Sequence, residues 1–316
     1  MASALKFIYF GSSQFSKDIL KGLYLKGFEP YLVVSKPDKP KGRHLRLEPT
    51  EVSSFAHNSK IPLIRPKSLK DKAVKQNLKE GGAEFFIVAD YGEIIPESLL
   101  KIPKAFSICV HPSLLPLYRG ASPIEAALRD GQNETGVTIF KINQEVDAGD
   151  IILQKKIPIS YEDDFFSLRK KLAKEGVSLL IEAIKKIISN NYTLAPQDES
   201  KASFASKLTK EDGLISWDSP AEQIRNLIRA TLGWPSAYTY YKGKMIKVLA
   251  GEVVEESFEA APGMILSTGK EGISVATAKG ILCIKKLKPE GKPEMDAWAF
   301  VCGHKIGAGA KLASNK

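Results

Sequence analysis

Four short apolar runs, residues 7–10, 31–35, 85–89 and 106–110, are continuous rather than alternating in polarity. A strand of that kind is buried on both faces, as in a parallel sheet covered by helices. Between the runs lie amphipathic segments at 15–26, 50–58, 68–79 and 124–129. Alternation of strand and helix at this spacing predicts a doubly wound, Rossmann-like α/β domain. Residues 151–159 add a further strand, and 165–189 carry Leu and Ile at helical spacing with lysines opposite, as in one long helix.

Periodicity stops at 190–206, where Asn-Asn, a proline and Gln-Asp-Glu-Ser-Lys predict a linker. Beyond it, 221–229 reads as a helix. Short Val/Ile/Tyr-rich runs at 237–241, 245–249, 273–276 and 281–284 then alternate with Gly243, Gly263, Gly272 and Gly280. That pattern predicts a smaller, OB-like β-barrel. A chain of 316 residues exceeds one ordinary core. The expected organisation is a catalytic α/β domain over 1–189, a linker over 190–206 and a barrel over 207–316.

A net charge of +10 favours an anionic partner such as RNA or a phosphorylated ligand, although lysines also serve as plain solvated surface. One segment is dense in charge: Lys36, Lys39, Lys41, Arg43 and Arg46 are opposed only by Asp38. The cysteines (Cys109, Cys283, Cys302) and histidines (His44, His57, His111, His304) show neither disulfide nor metal spacing, so no metal is expected. No apolar run approaches the length of a bilayer span, and the run ending at Gly11 is too short for a signal-peptide core. The expectation is a cytoplasmic protein with no membrane partner. After the first run comes Gly11-Ser12-Ser13-Gln14-Phe15, with one glycine where a dinucleotide-binding loop carries three, so bound NAD is not expected.

The chemistry concentrates in His111-Pro-Ser-Leu-Leu-Pro-Leu-Tyr-Arg-Gly-Ala-Ser-Pro-Ile124 and Val146-Asp-Ala-Gly-Asp150. His111 follows a buried run and so stands at the carboxyl end of a strand, where open α/β sheets bind ligands. Asp147 lies in a glycine-containing turn before the next β-rich run. A carboxylate beside an imidazole selects its tautomer and supports its charged form, as general acid–base work requires. Taken alone, a histidine such as His111 after a strand is more often a satisfied structural residue, and Asp147 is equally a turn or N-cap residue.

These segments resemble the signature of the 10-formyltetrahydrofolate-dependent formyltransferases: Asn-x-His-x-Ser-Leu-Leu-Pro, Arg-Gly-x-x-Pro-Ile and Asp-x-Gly-Asp-Ile. His111, Ser113, Leu114, Leu115, Pro116, Arg119, Gly120, Pro123, Ile124, Asp147, Gly149, Asp150 and Ile151 match it. Tyr91-Gly92-x-Ile94-Ile95-Pro96 is similar to the loop that holds the pterin ring in that family. The resemblance implies His111 as general acid/base, Asp147 as its partner, and a folate site at Ile87, Val88, Ala89, Tyr91, Gly92, Ile94 and Pro96 with Ser113, Leu114, Leu115 and Pro116.

The basic segment resembles an insertion loop of the family members that act on methionyl-tRNA. Leu208-Thr-Lys-Glu-Asp-Gly213, Trp234-Pro235-x-Ala237-Tyr238 and Phe300-x-x-Gly303-His304 resemble their C-terminal domain. The resemblance thus implies 10-formyltetrahydrofolate as formyl donor and initiator methionyl-tRNA as acceptor. Lys36, Lys39, Lys41, Arg43, Arg46 and the barrel would meet RNA, and a monomer is expected. Cys109 departs from the pattern, because the family carries a catalytic asparagine there. A thiol is a weak hydrogen-bond donor, so the departure implies a slower enzyme, a nucleophilic Cys109 or a catalytically impaired folate- or RNA-binding protein. Within the family, a sugar-nucleotide N-formyltransferase or a formyl-folate hydrolase is the alternative.

Overall fold

The computed structural model describes residues 5–41, 46–254 and 259–315. In chain order it begins β1 (Phe7–Gly11), α1 (Gln14–Leu25), β2 (Leu32–Val34), β3 (Lys39–Lys41), β4 (Arg46–Glu48), α2 (Glu51–Asn58) and β5 (Leu63–Ile64). There follow α3 (Lys72–Glu80), β6 (Phe85–Ala89), α4 (Glu97–Leu100), β7 (Phe106–His111), β8 (Arg119–Gly120) and α5 (Pro123–Arg129). Then come β9 (Glu134–Lys141), β10 (Ile151–Pro158) and α6 (Phe165–Ile188).

The main sheet runs β10-β9-β7-β6-β1-β2-β5. From β5 to β7 the strands are parallel, and β1 and β6 are buried along their whole length. Local chemistry starts the first helices. Ser13 accepts the Ser16 N–H at the head of α1, and Thr50 accepts the Ser53 N–H at the head of α2. From β1 the chain builds outward to β2 and β5, then returns to β6 on the other side. The loops after β1 and β6 therefore diverge, and the crevice outside their carboxyl ends is where such sheets take ligands.

The sheet is mixed rather than all parallel, because β9 lies antiparallel to both β7 and β10. Thr135, Gly136 and Thr138 break the apolar run that would have announced β9. Two of these residues have work to do beside the site. A Cβ on Gly136 would stand 2.3 Å from Leu114 Cδ2, and Thr138 binds the loop that follows β7.

The chain divides into two compact units. The first holds the main sheet and also residues 169–206. The segment expected as a linker is thus fastened to this unit. Ala195 exchanges two backbone hydrogen bonds with Ile151, at 2.8 and 2.9 Å, and β11 (Phe204–Ala205) pairs in parallel with β8.

The second unit joins residues 124–133 and 159–168 to 207–316. It contains α7 (Ala221–Thr231), β12 (Ala237–Tyr241), β13 (Lys244–Val254), β14 (Ile265–Gly269), β15 (Gly272–Ala276), β16 (Ile281–Pro289), β17 (Met295–Asp296) and α8 (Ala297–His304). The sheet order is β12-β13-β16-β15-β14, antiparallel throughout. The chain end then closes it: Ala313 bridges to Tyr240, and Lys311 bridges to Met264 just before β14. Closure into a barrel leaves few unpaired strand edges. Trp217, Ile224, Ile228, Val248, Val275, Leu282 and Phe300 fill the interior. Residues 159–168 are tied in by Arg225, whose guanidinium stacks on the Tyr161 ring at 3.4 Å, and by Arg229, which donates to the Asp163 carbonyl at 3.2 Å.

Candidate active site

His111 closes β7 with its side chain almost fully buried. Its Nε2 lies 2.9 Å from the Tyr118 carbonyl oxygen. A carbonyl only accepts, so Nε2 carries the hydrogen, and in the neutral ring the lone pair is left on Nδ1. Nδ1 faces Asp147 Oδ2 at 3.6 Å. The same carboxylate oxygen accepts the Gly120 N–H at 2.8 Å. Gly120 has φ +113°, and a Cβ there would meet the Ala205 carbonyl oxygen at 2.7 Å, so only glycine fits this close approach to the 204–205 strand.

The loop after β7 is pinned from beneath. Ser113 Oγ donates to the Leu117 carbonyl at 2.6 Å, and Thr138 Oγ1 donates to the Ser113 carbonyl at 2.7 Å. Thr138 Oγ1 accepts the Leu115 N–H at 3.2 Å and Gln154 Nε2 at 2.9 Å, while Gln154 also donates to the Leu115 carbonyl at 2.9 Å. Ser113, Leu114, Leu115 and Pro116 are thereby held in one arrangement. Thr138 and Gln154 were not singled out in the sequence; their only signal was polarity inside β9 and β10, which means little until both strands are placed.

Ile87, Val88 and Ala89 lie on buried β6, and Val88 is the register partner of Cys109 on β7. The following turn has left-handed Asp90 (φ +41°) and Gly92 (φ +73°). Ser12 holds it, its N–H donating to the Asp90 carbonyl and its hydroxyl to the Tyr91 carbonyl. Tyr91 meets Phe10 edge-on, and burial, aided by Glu93, pushes its hydroxyl up to about 12. Ile94 is exposed beside this turn, and Pro96 precedes α4. Cys109 shares with His111 one face of β7. Its thiol is driven well above the ordinary range, first by burial and then by Asp147 and Asp90, so it remains neutral.

The basic segment is split. Lys36 turns to the β6 loop, where Nζ donates to the Gly92 carbonyl and lies 3.9 Å from Glu93. Lys39, Lys41 and Arg46 fall on an antiparallel hairpin formed by β3 and β4, with Lys39 opposite Glu48 and Lys41 opposite Arg46. Lys39 and Arg46 are exposed, and Arg43 lies outside the described residues. Asp38 is paired with Arg65 at 2.6 Å and so does not cancel the hairpin's charge.

One cluster escaped sequence reasoning. Gln197 donates through Nε2 to the carbonyls of Asp147 and Gly149, each at 2.8 Å. Its Oε1 accepts from buried Arg119, Nε at 3.0 Å and Nη2 at 2.8 Å, and Arg119 also pairs with Glu199. Gln197 sits in an aperiodic polar stretch, so nothing in its neighbours pointed inward.

Residues 5–184 match the family model described as formyl transferase, and residues 207–305 match that of the formyl transferase C-terminal domain. The methionyl-tRNA formyltransferase of Thermodesulfovibrio yellowstonii is 42% identical over 96% of this chain and 97% of its own. That of Caldicellulosiruptor saccharolyticus is 41% identical over 97% and 99%. Among solved structures, HypX from Aquifex aeolicus in complex with tetrahydrofolic acid has a TM-score of 0.66 at 16% identity, covering 95% of this chain and 47% of that one. The N-formyltransferase from Helicobacter canadensis has a TM-score of 0.63 at 19% identity, covering 89% and 98%. At such identities these two share the fold alone, whereas the matched family regions and the full-length relatives carry more: the chain belongs to the formyl transferase family.

Proposed function

We propose that this chain transfers the formyl group of 10-formyltetrahydrofolate to the α-amine of initiator methionyl-tRNA. The observation that carries the reading is the His111–Asp147 pair, 3.6 Å apart at the carboxyl end of β7, in a chain whose relatives of 34–42% identity are methionyl-tRNA formyltransferases along nearly its whole length. The solved sugar N-formyltransferases are far more distant, at 17–20% identity.

Formyl transfer needs the amine to lose a proton as its nitrogen bonds the formyl carbon, and the departing folate nitrogen to gain one. The neutral His111 ring has its lone pair on Nδ1, on the side of Asp147. Once protonated, the ring donates at Nε2 to Tyr118 and faces the Asp147 carboxylate at Nδ1, so both nitrogens have an acceptor. Returning that proton to the leaving nitrogen completes the cycle. Cys109, neutral and buried, is not the nucleophile; it is a poor substitute for an amide as oxyanion donor.

The folate fits the crevice outside β1, β6 and β7. Gly92, Ile94 and Pro96 stand accessible on one side and Leu114 and Pro116 on the other, with Ile87, Val88, Ala89, Tyr91, Ser113 and Leu115 buried behind them as the support of the folate site. The left-handed backbone at Asp90 and Gly92 turns the chain sharply there, which suits a flat ring lying against main chain. Lys39, Lys41, Arg43 and Arg46 meet tRNA phosphate, with the barrel adding further RNA surface, while Lys36 supports the folate loop. The protein acts as a monomer in the cytoplasm, and no described helix is long and apolar enough to cross a membrane.

The test is a parallel assay of purified protein with 10-formyltetrahydrofolate and three acceptors: charged initiator tRNA, an amino-sugar nucleotide and water. Formyl-methionyl-tRNA is expected as the main product. Preferential formylation of the sugar, or release of free formate alone, would reject the reading.

A further inference from the structure

Asp147 has φ +51°, a left-handed conformation that side chains other than asparagine and aspartate rarely adopt. Its carboxylate meets His111 only while the backbone stays there. The residue that grips this backbone comes from another part of the chain. Gln197 spans the turn, donating its two amide hydrogens to the carbonyls of Asp147 and Gly149, both at 2.8 Å. Its own carbonyl accepts two hydrogens from Arg119, at 3.0 and 2.8 Å. The adjoining Gly120 N–H donates to Asp147 Oδ2 at 2.8 Å. The contacts close a ring: Asp147 backbone to Gln197, Gln197 to Arg119, and Arg119 through the next peptide back to the Asp147 side chain. Glu199, bonded to the far edge of the guanidinium at 2.6 and 2.9 Å, fixes the orientation of Arg119.

We propose that Gln197 is a positioning residue for the His111–Asp147 pair, acting through its amide hydrogens on the turn that carries Asp147. The inference rests on the formyl-transfer reading for its kinetic consequence but not for its geometry. The side-chain amide is needed because both faces of the contact are used: two donors toward Asp147 and Gly149, two acceptor positions toward Arg119. A carboxylate of equal length would still bind Arg119 but would present oxygen to two carbonyl oxygens.

Two substitutions separate positioning from simple fastening. Gln197→Met keeps the volume and removes every hydrogen bond; Gln197→Glu keeps the Arg119 contact alone. Both are expected to lower kcat on the order of 10- to 100-fold, with KM for the formyl donor and for methionyl-tRNA within about twofold of wild type. Ser200→Ala, which breaks only a local bond to Asp198 in the same segment, should behave as wild type. The proposal is overturned if Gln197→Glu restores wild-type kcat, or if the loss in Gln197→Met appears in KM rather than in kcat. A wild type that transfers the formyl group to another acceptor, with kcat still lowered in both variants, would reject the methionyl-tRNA reading and leave the positioning role standing.

Discussion

The Asp147 carboxylate stands 3.6 Å from the His111 imidazole, Oδ2 to Nδ1, and the same oxygen is tethered to the Gly120 N–H at 2.8 Å. Because the other ring nitrogen is committed to the Tyr118 carbonyl, the two side chains act on one proton. His111→Ala and Asp147→Asn should each lower kcat by on the order of 10²-fold or more. The double variant should be little slower than the worse single one, as for groups working as a unit. Multiplying losses, measured in steady-state kinetics, would separate the pair.

Cys109 is where the family pattern and the chemistry of this chain diverge. Cys109→Asn is expected to raise kcat roughly tenfold with little change in KM, since the new hydrogen bond serves the transition state. Cys109→Ala should be neutral. An inactive Cys109→Ala, with a formylated thiol seen by mass spectrometry, would return the nucleophile to consideration.

The buried thiol and the Tyr91 hydroxyl also give an alkaline signature. Each ionises at higher pH in the fold than in the unfolded chain, so the stability they contribute is present at neutral pH and lost as pH rises. For Tyr91 the loss runs from pH 10.0 to about 12. Urea midpoints should fall steadily above pH 9, and Cys109→Ala should remove the earlier part of the fall. A flat profile would mean that neither group is desolvated as described.

Gly120→Ala tests the closeness of the chains around the pair. The added Cβ meets the Ala205 carbonyl at 2.7 Å with φ +113°, so the segment or the loop must shift. A destabilisation of about 1–3 kcal/mol is expected, with a larger loss of kcat than of substrate affinity. Wild-type melting and turnover would show that the approach is looser than 2.7 Å implies.

The hairpin and Lys36 should separate kinetically. Lys39→Glu with Arg46→Glu should raise KM for tRNA and flatten its salt dependence, leaving the KM for folate unchanged. Lys36→Met should do the reverse, because its ammonium holds the Gly92 carbonyl of the folate loop. If Lys36→Met instead matched the hairpin variant, Lys36 would belong with the RNA-binding residues.

Much of this was written plainly in the chain. Continuous runs such as 85–89 could only be inner strands, and the block from His111 to Ile124 sits at a strand end as its spacing implied. β9 was hidden because Gly136 and Thr138 are chosen for the Leu114–Leu115 loop rather than for strand propensity. The hairpin of β3 and β4 read as a loop since lysines and proline carry no alternating pattern. Gln197 was invisible for a deeper reason: its partners are carbonyls fifty residues earlier, and backbone acceptors leave no trace in a sequence.

The most direct test of His111–Asp147 catalysis is a single-turnover measurement in which excess enzyme, loaded with 10-formyltetrahydrofolate, is mixed with charged initiator tRNA and quenched. One equivalent of formyl-methionyl-tRNA is expected from wild type, at a rate that falls by on the order of 10²-fold in Asp147→Asn while tRNA binding is retained. Formyl-methionyl-tRNA formed at the same rate by both proteins, or not formed at all by wild type, would contradict it.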